Sequence, residues 1–244
     1  MSPSKRIILL FFVFAVVFTT GAAETNKTEK SVNLGATVTS GNSKTFQANA
    51  GLSVERKTEF YQTKGSAEAN FGESKNSAGD KETTINNSKI SVFGKRTVSN
   101  RIFMYLDSSF FHDDIASVKY RVIAGPGLGY LFMKNDNTSI SAELGPSFVG
   151  EKVKYDRDEY LAIRIVEKFE HSFNKSAKVW QNVEYLPKGE DFNDYLINSE
   201  IGVEAAMTET ANIRIVIQDK YDNTPAESIE NNDLTLISGI NVKF

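Results

Sequence analysis

The residues able to do chemistry are few. The chain has two histidines, His112 and His171, and no cysteine. His112 stands next to Asp113 and Asp114, the one cluster of an imidazole with two carboxylates. A hydrolase can use such a trio, with the imidazole as general base and a carboxylate to orient it. The plainer reading is a solvated loop, so no catalytic residue and no enzyme activity are expected. His171 falls at the opposite end of the strand pattern set out below and cannot join His112. The missing cysteine excludes a disulfide scaffold, a cysteine-liganded zinc or iron–sulfur site, a thiol nucleophile and a lipidated anchor. Asp80, Glu82, Glu151, Asp156, Glu190, Asp191, Asp194, Glu227 and Glu230 crowd the segments read as long loops. Such oxygen-rich loops hold divalent cations loosely, but no calcium-loop pattern occurs. No metal site and no cofactor are expected. Gly125-Pro126-Gly127 lacks both the G-x-G-x-x-G spacing and a following helix, which argues against a nucleotide loop.

These residues sit on a chain of 244 residues, 40% apolar, with 28 basic and 31 acidic side chains. No basic excess points to nucleic acid. The apolar residues are too dispersed for a bundle of spanning helices, each of which needs ~20 in succession. Residues 1–23 are the exception. Lys5 and Arg6 precede an apolar run from Ile7 to Phe18, and Gly21 and Ala23 follow like a cleavage site. This is the three-part pattern of a secretory signal peptide, and the run is short for a membrane anchor. Cutting after Ala23 leaves 221 residues, with 26 basic and 31 acidic. Residues 24–30 are expected to form a short tail, and 31–244 the folded domain.

That domain alternates with a period of two, which puts successive side chains on opposite faces of a strand. Val32, Leu34, Ala36 and Val38 oppose Ser31, Asn33, Gly35 and Thr37. Ile213, Ile215 and Ile217 oppose Asn212, Arg214 and Gln218. Read along the chain, the pattern predicts about twelve strands, near 31–39, 44–55, 60–72, 84–95, 101–111, 118–132, 138–149, 158–171, 176–186, 194–206, 211–222 and 233–244. Short connections (56–59, 96–100, 133–137, 172–175, 207–210) alternate with longer ones (73–83, 112–117, 150–157, 187–193, 223–232). Only 40–43 is short where the alternation predicts long. Short turns at one end and longer loops at the other mark an up-and-down antiparallel transmembrane β-barrel of the outer membrane, with both termini on the short-turn side. About eighteen residues per strand and connection allow the ~9–11 that a tilted strand needs to cross a bilayer.

Aromatic residues gather at the inferred strand ends: Phe60 and Tyr61, Phe110 and Phe111, Tyr130 and Phe132, Phe169 and Phe173, Phe192 and Tyr195. Interfacial girdles of a barrel have this composition. The face opposite the apolar one carries Glu55, Lys64, Glu68, Lys89, Asp107, Glu143, Arg164, Lys168, Lys178, Glu184, Glu200, Glu204 and Arg214. With both signs interspersed, these charges predict a lumen crossed by ion pairs and amides. Open aqueous porins have 16–18 strands, so a narrow, poorly conducting barrel is expected. Pro126 and Pro146 fall on neighbouring strands and predict a bulge or bend in the wall. The competing fold is a soluble periplasmic β-barrel that binds a small apolar ligand; a barrel-borne hydrolase is a third and weaker alternative.

A family resemblance rests on Leu34-Gly35-Ala36-Thr37-Val38-Thr39-Ser40-Gly41-Asn42-Ser43, followed by Lys44-Thr45 and Leu52-Ser53-Val54-Glu55-Arg56. Tyr120-Arg121, Gly125-Pro126-Gly127-Leu128-Gly129-Tyr130, Glu143-Leu144-Gly145-Pro146 and the terminal Phe244 add to it. The chain resembles the salt-induced outer-membrane proteins, domain-of-unknown-function family 481. The resemblance implies an outer-membrane barrel of unknown biochemical role in the bacterial envelope; a structural or envelope-stress barrel or a narrow, low-conductance pore is expected. It supplies no site residue. It also implies that the barrel-assembly machinery reads the C-terminal strand ending at Phe244. The partners expected of such a barrel are outer-membrane lipid and lipopolysaccharide, with no nucleic acid.

Overall fold

The structure is a computed structural model that describes residues 27–39, 44–75 and 80–244. The expected signal peptide, residues 1–23, and the first connection, 40–43, lie outside the described residues.

Twelve antiparallel strands close into one barrel in sequence order. They are β1 (Lys27–Thr39), β2 (Lys44–Lys57), β3 (Tyr61–Lys75), β4 (Lys81–Thr97), β5 (Ile102–Asp113) and β6 (Val118–Lys134) in the first half. The second half comprises β7 (Thr138–Val153), β8 (Asp156–Ser172), β9 (Ala177–Pro187), β10 (Tyr195–Ala206), β11 (Ala211–Asp222) and β12 (Asn232–Lys243). Because β12 pairs back to β1, no sheet edge is left at the ring's closing point.

The strands run further than the alternation predicts. Residues 27–30, expected in the tail, pair with Lys57–Val54 of β2. The expected loop 150–157 shrinks to Lys154-Tyr155 between Val153 and Asp156. Lys154 adopts φ 51°, as a tight two-residue hairpin requires. In both places the ladder continues beyond the apolar belt, where both faces are polar and the period-two signal fades. Only 188–194 and 223–231 remain as long described loops, both at one end. At the other end the turns are closed by short side chains, as where Asn135 Oδ1 accepts from the amides of Asn137 and Thr138 at 3.0 and 2.6 Å.

The outward face is apolar. Leu52, Val54, Ile90, Val92, Leu128, Leu144, Ile201, Ile215 and Leu236 all project from the wall with half or nearly half of their surface open. Aromatic residues cluster at both rims. At the loop end Tyr185, Tyr195 and Tyr221 follow one another on β9, β10 and β11, with ring centroids 5.4 and 5.9 Å apart. At the turn end His171 lies between Phe169 and Phe173, and Tyr130 meets Phe132 edge-on at 5.1 Å.

Pro126 and Pro146 interrupt one ladder. Pairing of β6 with β7 stops after Ala124↔Phe148 and resumes at Leu128↔Leu144 in the same register. This is therefore a gap and not a bulge, and it brings the two prolines face to face. Neither has an N–H to offer. The strands press together there, since a Cβ on Gly125 would stand 2.1 Å from the Pro146 carbonyl oxygen.

The seam between β1 and β12 is also incomplete. Pairing covers only Ser31↔Lys243 to Leu34↔Ile240. Beyond Gly35 the strands overlap: a Cβ on Gly35 would lie 1.9 Å from the Ser238 oxygen. The freed carbonyls of Leu236 and Ser238 accept side-chain amides of β2 instead, from Gln47 at 3.0 Å and Asn49 at 3.5 Å.

Candidate functional site

The lumen is the candidate site. Every charged residue that the alternation placed on the inner face lies on that face. At its centre Arg164 donates from Nε to Glu184 at 2.5 Å and from Nη1 to Glu143 at 3.0 Å. Lys168 Nζ takes the other Glu143 oxygen at 2.6 Å, and Asn198 donates to Glu184 at 3.0 Å. Glu143 is 2% exposed and Arg164 5%, a burial that charged groups tolerate only when paired and hydrogen-bonded. A second network centres on Glu200, which accepts from Trp180 Nε1 at 2.6 Å and Gln218 at 3.0 Å. A third, near the turn end, centres on Glu204, which accepts from Asn212, Asn241 and Lys243.

Several ties cross from wall to wall. Arg121 on β6 bonds Glu151 on the neighbouring β7 and reaches Asp222 on β11 at 3.0 Å. Arg164 on β8 lies 3.8 Å from Asp107 on β5. Lys168 stands 4.5 Å above the Phe93 ring of β4, and Lys220 of β11 stands 4.1 Å from that of Phe111 on β5. Phe111, expected in a rim girdle, therefore points inward, while its neighbour Phe110 keeps the outward place. The sequence reading also missed Phe103, Tyr105 and Trp180 as lumen residues. Their signal was cross-strand glycine: Phe103 pairs with Gly129, Tyr105 with Gly127 and Trp180 with Gly202. Each ring lies over the space a Cβ would fill, within 2.0–2.3 Å of its ideal position.

Part of the wall from β1 to β5 is built of shorter side chains. Register lines up Ser31, Ser53, Ser66, Ser91 and Ser109 as one rung. Hydroxyl contacts of 2.9 Å (Ser31–Ser53) and 2.8 Å (Ser66–Ser91) link them in pairs. Asn49, Asn70 and Asn87 form another polar rung toward the loop end, beyond that of Glu68 and Lys89.

Towards the loop end the lumen forms a vestibule open to solvent. Ile123, Val149, Ala162, Leu186 and Leu196 make a small dry cluster in its wall. The loops above are tied together. Lys154 N donates to the Ser117 carbonyl at 2.9 Å, its Nζ donates to the Glu227 carbonyl, and Thr224 Oγ1 donates to Asp194 at 2.5 Å. Lys188, just beyond β9, donates to Asp158 at 2.6 Å, and this hydrogen bond raises its pKa above the ordinary lysine value.

The His112 trio does not assemble. Period two sends Asp113 inward, where Oδ1 caps the amides of Ile115 and Ala116 at 3.0 and 3.1 Å. His112 turns outward, with Nδ1 3.0 Å from the Lys119 carbonyl and Nε2 3.4 Å from Asp114. His171 is at the other end of the barrel, 2.9 Å from Thr138 Oγ1. Among the described residues no group of three or more histidine or carboxylate side chains is placed to hold a metal.

A closed antiparallel ring, apolar outside and ion-paired inside, defines the barrel class found among outer-membrane channels. The sequence profile of the family described as a protein of unknown function, DUF481, matches residues 32–244, and the chain belongs to that family. In fold it is similar to the COG4313 outer membrane channel from Pseudomonas putida F1, with a TM-score of 0.52 over 93% of this chain and 97% of that one, at 8% identity. The NanC porin is similar with a TM-score of 0.50 over 88% and 96% of the two chains, at 10% identity. No curated protein matches the chain in sequence.

Proposed function

We propose that this chain is an integral barrel of the bacterial outer membrane and acts there as a narrow, low-conductance pore. The observation that supports this reading is the direction of polarity. Leu52, Val92, Leu144 and Ile215 project outward, while Arg164, Glu143 and Glu184 are paired inside. A soluble barrel that carries an apolar ligand needs the reverse, a dry apolar interior and a wet exterior. In a bilayer the apolar belt is solvated by lipid, and the closed ladder leaves few backbone groups unpaired. The crossing cations divide the lumen, which argues against free diffusion of large solutes.

Electrophoresis with and without boiling tests the barrel reading. The unboiled chain is expected to run with altered mobility, because a closed ladder survives detergent in the cold. No shift, together with a soluble pool on cell fractionation, overturns it. Planar bilayers test the pore: small, flickering conductance is expected, and a large, steady current overturns a side-chain-obstructed lumen.

A further inference from the structure

We infer that the vestibule is a binding site for a small zwitterion with an apolar body, such as an α-amino acid with a hydrocarbon side chain. The cavity opens at the loop end, so a small solute can reach it from outside the barrel. The argument lies in which charges are already engaged. Arg121 is held by Glu151 and Asp222, Glu184 by Arg164 and Asn198, and Asp113 by backbone amides. Four charges facing the cavity remain: Lys89, Lys220, Asp233 and Glu230. Among the described residues none of the four makes an ion pair within 4 Å, although Lys220 and Asp233 are cross-strand partners. Lys220 leans away, across the lumen, to the Phe111 ring.

Two ammoniums and two carboxylates share one cavity without meeting. Lys89, Lys220 and Asp233 are half-buried and Glu230 is exposed at the rim, and a charge held partly out of water gains from a partner. A lone anion entering to meet the lysines faces Asp233 and Glu230, and a lone cation faces the lysines. A ligand carrying both charges a bond or two apart bridges the set. Ile123, Leu196 and Ile229 line the same cavity and give a hydrocarbon side chain somewhere to lie. This deepens the pore reading by naming a solute class, yet binding does not depend on passage.

The test is calorimetry on the full chain in non-ionic micelles with three probes: L-phenylalanine, 3-phenylpropionate without the amine, and 2-phenylethylamine without the carboxylate. Phenylalanine is expected to bind about tenfold more tightly than either, as one charged hydrogen bond is worth. Lys220→Met is expected to erase the preference over phenylethylamine alone, and Asp233→Asn the preference over phenylpropionate alone. Equal affinity for the three probes, or no binding of phenylalanine, overturns the inference; so does an equal effect of each variant on all three. If a variant loses its unboiled mobility, the comparison on the unaltered chain still decides. Phenylalanine binding by a barrel that passes no current keeps this inference and removes the pore reading.

Discussion

Lys220 and Phe111 face each other from opposite sides of the barrel: the ammonium lies 4.1 Å from the ring centroid, and β11 and β5 stand six places apart in a ring of twelve. A side chain that spans a lumen in this way sets its bore. Phe111→Ala removes the ring that receives the ammonium and shortens the obstruction. Single-channel recording is expected to show a several-fold larger conductance. An unchanged current would mean that the bore is set elsewhere.

The central network is expected to be structural. Arg164→Ala leaves Glu143 with only Lys168 and strips Glu184 of its cation. Breaking a buried pair costs about 3–5 kcal/mol, so the temperature at which the unboiled form converts to the unfolded band falls clearly. Arg164→Lys restores one charge without the fork and recovers part of the loss.

Trp180 is the only tryptophan and reports on its own packing. A Cβ at Gly202 would sit 2.1 Å from its ring, so Gly202→Val displaces the indole from the wall. Overpacking of this kind costs about 1–3 kcal/mol. The emission maximum is expected to move to longer wavelength, with loss of the 2.6 Å bond to Glu200.

The β1–β12 seam depends on side chains from the neighbouring strand. Gln47→Ala with Asn49→Ala leaves the carbonyls of Leu236 and Ser238 without those donors. Each costs about 1–3 kcal/mol where water cannot replace it. Hydrogen exchange is expected to quicken in Leu234–Gly239 and to stay slow in Ile240–Lys243, where backbone pairing persists.

The hydrogen bond from Lys188 to Asp158 gives a pH dependence of definite sign. It raises the lysine in the folded chain, so its contribution is full below the ordinary value of 10.5 and is lost as pH rises through the folded value. Loop 188–194 is expected to become protease-sensitive at strongly alkaline pH, and Lys188→Met to be sensitive already at neutral pH.

The strand number, the antiparallel order and the inner charges were legible because alternation is an address to one face or the other. Glu143, Arg164 and Glu184 were visible as inward residues for that reason alone. Which of them touch was not, since contact across the lumen depends on shear and tilt that period two does not encode. Phe110 and Phe111 show the limit: adjacent aromatics must face opposite ways, yet composition assigned both to a rim. Tyr105 and Trp180 were hidden because their partners were glycines, which carry no polarity to read. The vestibule lies where strands pass beyond the apolar belt and the alternation goes silent.

The order of pairing also governs how the ring is made. Eleven of its joints link consecutive strands and form from local hairpins. The twelfth joins Ser31 to Lys243, with the Phe244 amide donating to the Lys30 carbonyl at 3.0 Å. Closing over so long a separation is slow, because the entropy of bringing the ends together precedes any contact that offsets it. Until β12 is complete, the free side of β1 is an exposed template for another copy to join. Losing the last few residues would then open the twelfth joint, shorten the one between β11 and β12, and turn a self-contained ring into a sheet that polymerises.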